Sequence, residues 1–311
     1  MEKTQYNFRS AKDLFDLKID ILAPVIDNEF SNEVAHLVPK LDHTYKFDQV
    51  ATAAIILGFA YNKRVYIHGY HGAGKSTHIE QVAARLNWPC IRLNLDSYIT
   101  KTDLIGKDVI KLEDHKQVMN FQEGLLPLAM RNGYVLILDE YDAARPEVLF
   151  ILQRMLEANG KLVILEQNII LEPHPNFRIF ATANTIGLGD VTGMYHGTQQ
   201  INHGQLDRWN LFVNLSYMQY EQELTILLAK FPEYNNDKTI AEGMVHLAGL
   251  VRNAFIAGDI SAVISPRTTF NWAENYLLLR DLPLSFQLTF LNRIDDNEQK
   301  IVLEMYQRIF G

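Results

Sequence analysis

The run Gly69-Tyr70-His71-Gly72-Ala73-Gly74-Lys75-Ser76 constrains this chain more than any other segment. It fits G-x-x-x-x-G-K-[ST], a spacing that lets successive backbone N–H groups turn inward around a phosphate. The flanks fit as well. Val65-Tyr66-Ile67-His68 reads as a short buried strand before the loop, and Thr77-His78-Ile79-Glu80-Gln81-Val82-Ala83 begins a helix after it. A helix N-terminus then adds its partial positive charge at the anion. Lys75 is expected on the β- and γ-phosphates of a nucleotide and the Ser76 hydroxyl on a magnesium ion. Gly69, His71, Gly72, Ala73, Gly74 and Thr77 are expected to complete the phosphate cradle.

The order of strand then helix recurs downstream. Cys90-Ile91-Arg92-Leu93-Asn94, Val135-Leu136-Ile137-Leu138 and Arg178-Ile179-Phe180-Ala181 are short strand-like runs among helical stretches. Such alternation implies an α/β fold, a parallel sheet covered by helices. Two segments interrupt it: Asp108–Leu112 with Gln117–Phe121 around Glu113-Asp114-His115, and Lys161–Leu165 with Ile169–Leu171 around Glu166-Gln167-Asn168. Both read as inserted β-hairpins. From about Gln219 only helical periodicity remains, as in Ala241 to Ala257 and Thr268 to Leu279. The 311 residues allow about two domains. The expected division is an N-terminal extension (1–40), an α/β core (41–217) and an all-α domain (218–311).

The second chemical signal is the acidic end of a strand. Val135-Leu136-Ile137-Leu138 runs into Asp139-Glu140. Asp139 is expected in the magnesium shell, with Glu140 polarising the attacking water. Phosphoryl transfer needs positioning and charge stabilisation more than a covalent nucleophile, so this pair is sufficient. Asn184 closes the strand-like Ala181-Thr182-Ala183, where an Asn serves either to orient the water against the γ-phosphate or simply to form a turn. Arg208, in Leu206-Asp207-Arg208, and Arg267, in Ser265-Pro266-Arg267, are the arginines to single out, although an isolated arginine is ordinarily a solvated charge.

The formal charge of −8 is spread evenly, with no basic block or tail. That argues against nucleic acid or an anionic membrane as the main partner. The single cysteine, Cys90, excludes an internal disulfide and a Cys-rich zinc site. The first residues lack the apolar core of a signal peptide, and Ala51 to Ala60 is about half the ~20 residues that span a bilayer. A cytoplasmic protein is expected. His68, His71 and His78 flank a loop shaped for phosphate, which leaves little room for a metal cage. Between Asn184 and Arg208 lie five of the 17 glycines, with Tyr195, His196 and His203. Loops of this length are commonly functional, and this one is expected to pass nucleotide state to a neighbour or partner.

Phosphate loop, Asp-Glu strand, strand-terminal Asn, Leu-Asp-Arg and Ser-Pro-Arg in a helical domain resemble, in that order, the AAA+ ATPases. The two hairpins resemble the branch of MoxR-type ATPases and chelatase motors. Longer strings resemble the CobS family, the ATPase subunits of aerobic cobaltochelatases. They are Gly69-Tyr70-His71-Gly72, the run Ser76 to Cys90, Asp139-Glu140-Tyr141-Asp142, Gly193 to Asn202, Ser265-Pro266-Arg267 and Tyr306-Gln307-Arg308.

The resemblance implies a three-layer α/β/α P-loop NTPase core with a parallel sheet and inserted hairpins, followed by an all-α lid. It implies ATP and Mg²⁺ as cofactors, Asn184 as first sensor, Arg208 as a finger acting on the neighbouring subunit's nucleotide and Arg267 as second sensor. A finger in trans implies a homo-oligomeric ring, expected as a hexamer. It further implies a CobT-like partner and a CobN-like subunit that binds corrin and cobalt. This chain would then hydrolyse ATP to drive cobalt insertion into hydrogenobyrinic acid a,c-diamide in cobalamin biosynthesis without itself touching cobalt. Two other readings stay open: a MoxR-like ATPase remodelling another metalloenzyme or a von Willebrand A-type partner, and a nucleotide-binding scaffold with little turnover. Intact Glu140 and Arg208 speak against the scaffold.

Overall fold

Five short strands with alternating apolar side chains lie parallel in one sheet. They are β1 (Val65–His68), β2 (Cys90–Asn94), β3 (Val135–Asp139), β4 (Arg178–Ala183) and β5 (Leu211–Asn214), in spatial order β5-β1-β4-β3-β2. The computed structural model describes residues 6–27, 29–113, 116–157, 159–189 and 197–311. Because side chains alternate across a strand, the sheet separates two cores. Val65, Ile67, Val135, Ile137 and Phe180 face one of them. Tyr66, Leu136, Leu138, Ile179 and Ala181 face the other.

Helices cover both faces. On the first lie α1 (Gln49–Tyr61), capped by Asp48 accepting from the Ala51 N–H at 2.8 Å, and α2 (Lys75–Arg85). On the second lie α3 (Leu125–Asn132) and α4 (Pro146–Met155), through Leu126, Met130, Leu149 and Leu152. The fold is therefore the three-layer α/β/α arrangement with a parallel sheet.

The fifth strand has no clear signature in the sequence. Only Val213 of Leu211–Asn214 is buried, since β5 is an edge strand paired to β1 alone. One apolar contact leaves too little periodicity to read. Residues 6–26 hold a second, two-stranded antiparallel sheet (Tyr6–Ser10 with Leu22–Ile26), and Phe15, Val25 and Ile26 join the core beneath α1.

Both hairpins are present. Gly106–Glu113 pairs with Lys116–Glu123, while the Asp114-His115 turn lies outside the described residues. Leu162–Ile164 pairs with Ile169–Leu171. There the strand is shorter than the expected Lys161–Leu165, because Leu165 already belongs to a 3-10 turn that ends at left-handed Asn168 (φ 52°).

The chain divides into two compact units: Met1–Asp42, Phe47–Gly69 and Gly74–Leu215 form one; His43–Lys46, Tyr70–Ala73 and Ser216–Gly311 form the other. The second unit contains α5 (Tyr220–Lys230), α6 (Thr239–Ala257), α7 (Pro266–Leu279), α8 (Leu282–Thr289) and α9 (Asp296–Phe310). Its core is aromatic: Trp272 packs on Phe286 at 4.5 Å and Phe286 stacks on Tyr306 at 5.1 Å. Glu223 and Arg252 form a buried two-bond ion pair inside it, at 2.5 and 2.8 Å. No helix among the described residues is long and apolar enough to cross a membrane.

Candidate nucleotide-binding site

The loop after β1 is held in a conformation that glycine permits. Gly69, Gly72 and Gly74 have φ of 148°, 77° and 88°. A Cβ at Gly69 would also collide with the Leu215 carbonyl oxygen, so this position accepts no side chain. Gly74 caps α2, which places Lys75 and Ser76 in its first turn. The tip of the loop belongs to the helical unit. There Tyr70 stacks on Tyr217 at 5.7 Å, and the Tyr217 hydroxyl donates to the His71 carbonyl at 2.8 Å.

Lys75 is 9% exposed, and its Nζ donates to the Gly69 carbonyl at 2.7 Å and to Asn184 Oδ1 at 3.0 Å. Burial lowers its pKa to about 8, against the pull of Asp142, Asp139 and Glu140. Its ammonium stands in the first turn of α2, where the helix N-terminus also favours an anion.

Asp139, at the end of β3, gathers the polar groups around it. Its Oδ1 accepts from Ser76 Oγ at 2.5 Å and from Thr182 Oγ1. Its Oδ2 accepts from Arg92 Nε at 2.8 Å and from Arg92 Nη2. Burial pushes the Asp139 pKa up, but the hydrogen bonds from Ser76 and Thr182 and the Arg92 charge outweigh it and hold it below the ordinary value. Asp139 is therefore ionised at neutral pH. Two hydroxyls and a carboxylate oxygen converge here, the hard oxygen donors that magnesium takes through a few protein ligands plus phosphates. The donor set fits that ion. Glu140 follows in the left-handed region (φ 56°, ψ 44°), turning the chain sharply out of the sheet. Non-glycine residues held there cost about 1–3 kcal/mol and cluster at working sites.

Asn184 is fixed from two sides. Its side chain accepts from Lys75, and its N–H donates to Asp142 Oδ2 at 3.1 Å. The same oxygen accepts from Thr185 N at 2.8 Å and Thr185 Oγ1 at 2.9 Å. Asp142 is 1% exposed, and burial raises its pKa against these bonds. The Asp142 carbonyl accepts from Gln199 N at 2.7 Å, which ties in the glycine-rich loop. Gly193, Tyr195 and His196 of that loop lie outside the described residues.

Thus Lys75, Ser76, Asp139 and Asn184 come together, and Arg92, Thr182 and Asp142 join them although sequence reasoning gave them no role. Arg92 carries no readable signal, because β2 alternates buried Ile91 and Leu93 with exposed Arg92 and Asn94, as an ordinary edge strand does. Thr182 and Asp142 look like ordinary strand-end residues until the sheet sets their neighbours. Arg208 lies elsewhere in the same unit. It donates to the Gly204 carbonyl, pairs with Glu157 at 3.6 Å and, with the Gln153 amide oxygen turned toward it, donates there at 2.8 Å. Arg267 stands exposed in the first turn of α7, in the helical unit, behind its cap Ser265.

His78 is fully buried against Thr52 Oγ1 at 2.8 Å, and no metal-holding cluster of His, Cys, Asp or Glu occurs among the described residues. Cys90 packs against the core, where burial pushes its thiol pKa up.

Residues 64–200 match the AAA domain of the dynein-related subfamily. Over 305 residues the chain is 50% identical to the aerobic cobaltochelatase subunit CobS of a Sinorhizobium species, covering 97% of this chain and 90% of that protein. The chain belongs to the CobS family. Midasin of Dictyostelium discoideum is a more distant relative of the CobS-type chain, 29% identical over 246 residues that cover 77% of this chain and 4% of midasin. Nucleotide binding comes with membership of this AAA-type family. Within the CobS-type chain, the matched domain contains Lys75, Ser76, Asp139, Glu140 and Asn184 and ends before Arg208 and Arg267.

Proposed function

We propose that this chain is the ATP-hydrolysing motor subunit of an aerobic cobaltochelatase, driving cobalt insertion into a corrin. The observation that carries the reading is the 50% identity across 90% of a CobS protein. Cobalt and corrin are substrates of the complex, and this chain acts on ATP in the cytoplasm. The core (41–217) holds the nucleotide, and the helical domain (218–311) serves as its lid, with residues 1–40 as an extension.

Each residue has a physical task. Lys75 and the N–H groups of Gly69 to Thr77 bind the phosphates. Ser76 and Asp139 hold Mg²⁺, which when bound neutralises charge on the phosphates. Glu140 polarises the attacking water, and Asn184 orients it. Arg208 serves the nucleotide of the next subunit, so activity needs a ring, and Arg267 reads the γ-phosphate from the lid. A CobT-like subunit and a CobN-like corrin-binding subunit are the partners.

The test is Glu140→Gln, which keeps shape and removes the base. Expected are ATP binding at wild-type strength and turnover lowered by about 10²-fold or more. Wild-type turnover in that variant refutes the assignment. Cobalt insertion into a corrin diamide, reconstituted with CobT- and CobN-like subunits, tests the client. Failure with active partners would leave the motor without this client.

A further inference from the structure

Arg92 sits in β2 next to the candidate metal ligand and has no place in the reading above. Both of its contacts with Asp139, through Nε at 2.8 Å and through Nη2, fall on one oxygen, Oδ2. The other oxygen, Oδ1, is left to Ser76 and Thr182. Nη1 lies 3.9 Å from Glu80 Oε1 on α2. The guanidinium thus lies between two carboxylates, on the side of Asp139 opposite the hydroxyls. Its side chain is 44% exposed on an edge strand, so no core packing requires a cation there.

We propose that Arg92 is a positioning residue and resident counter-cation of the magnesium site, making uptake of a divalent cation conditional on nucleotide phosphate. This rests on the nucleotide-site reading. Two consequences follow from the geometry. The side-on grip on Oδ2 fixes the carboxylate plane so that Oδ1 stays aimed at Ser76 and Thr182. Shared between Asp139 and Glu80, the guanidinium offsets part of their negative charge, so without phosphates the site offers a divalent cation two neutral hydroxyls and an already paired carboxylate. A nucleotide brings several negative charges and overcomes the repulsion by Arg92, so metal and nucleotide enter together. The Arg92 charge is partly exposed, and its field on the site is screened but not abolished at ordinary salt.

The experiment measures Mn²⁺ binding from the free-ion EPR signal, on full-length protein, with and without ADP. Wild type should bind Mn²⁺ weakly alone and far more tightly with ADP. That ADP arm tests the nucleotide site itself, and its failure would remove the site rather than the role of Arg92. Arg92→Gln should bind Mn²⁺ without ADP at least about tenfold more tightly than wild type. Adding Asp139→Asn should abolish that gain. Arg92→Lys loses the two-bond grip but keeps the charge, and should stay within about threefold of wild type. The proposal is overturned if Arg92→Gln, folded by circular dichroism and binding ADP, matches wild type in ADP-free Mn²⁺ affinity. A tenfold gain in Arg92→Lys would equally overturn it.

Discussion

Replacing Asp142 by alanine removes the acceptor that joins the end of β3 to the end of β4. Three donors lose their partner: the N–H groups of Asn184 and Thr185 and the Thr185 hydroxyl. The hydroxyl can rotate, but the two N–H groups cannot. Both pairs are part-buried, so each N–H left unpaired falls in the lower part of the usual range, about 1–2 kcal/mol, and the two together cost about 2–4. Part of this is offset, because Asp142 Oδ1 is buried without a hydrogen-bond partner and alanine relieves that penalty. The expected net loss is about 1–3 kcal/mol. Asp142→Asn keeps a carbonyl oxygen for the same donors and should lose only about 1 kcal/mol. Urea unfolding with unchanged m-value measures both. Because Asn184 hangs from this anchor, Asp142→Ala should also lower ATP turnover about 10- to 100-fold while nucleotide affinity shifts far less. An alanine cost below about 0.5 kcal/mol, or equal damage from asparagine and alanine, would refute this role of Asp142.

In the helical unit, Glu223→Ala strands Arg252 as a buried cation and should cost about 3–5 kcal/mol, whereas Glu223→Leu with Arg252→Met, which also gives up the Arg252 bond to the Ile264 carbonyl, should cost less, about 1–2 kcal/mol. Thermal or urea melts of the singles and the double decide this, and additive losses would count against it. His78 is held neutral, with burial depressing its pKa to about 4 from 6.5. Unfolding at low pH therefore takes up a proton, so stability is full above pH 6.5 and falls as pH drops toward 4, by about 2 kcal/mol at pH 5. His78→Gln should flatten that part of the profile, and an unchanged slope would contradict it. Finally, if Arg208 acts in trans, mixing Arg208→Ala with Lys75→Ala subunits should restore part of the ATPase activity that each lacks alone. No recovery in verified mixed assemblies would assign Arg208 to its own subunit.

The parts of this protein legible in the sequence are those set by local chain chemistry. Glycines at Gly69, Gly72 and Gly74 permit one class of loop, and the short apolar runs at 65–68, 135–138 and 178–181 are strands because their length and β-branched content suit a buried parallel sheet. The Asp139-Glu140 pair follows directly from where such a strand ends. What tertiary structure alone decided is which polar groups meet. Strand order β1-β4-β3-β2 carries Thr182 and Arg92 to opposite sides of Asp139, though they lie 43 and 47 residues from it. Asp142 finds Asn184 across the same sheet. The edge strand β5 is formed by pairing with β1 rather than by its own pattern. Periodicity specifies which face of an element is apolar. It carries no information on the neighbour across a parallel sheet, because that neighbour is chosen by crossover topology and by the burial of both faces.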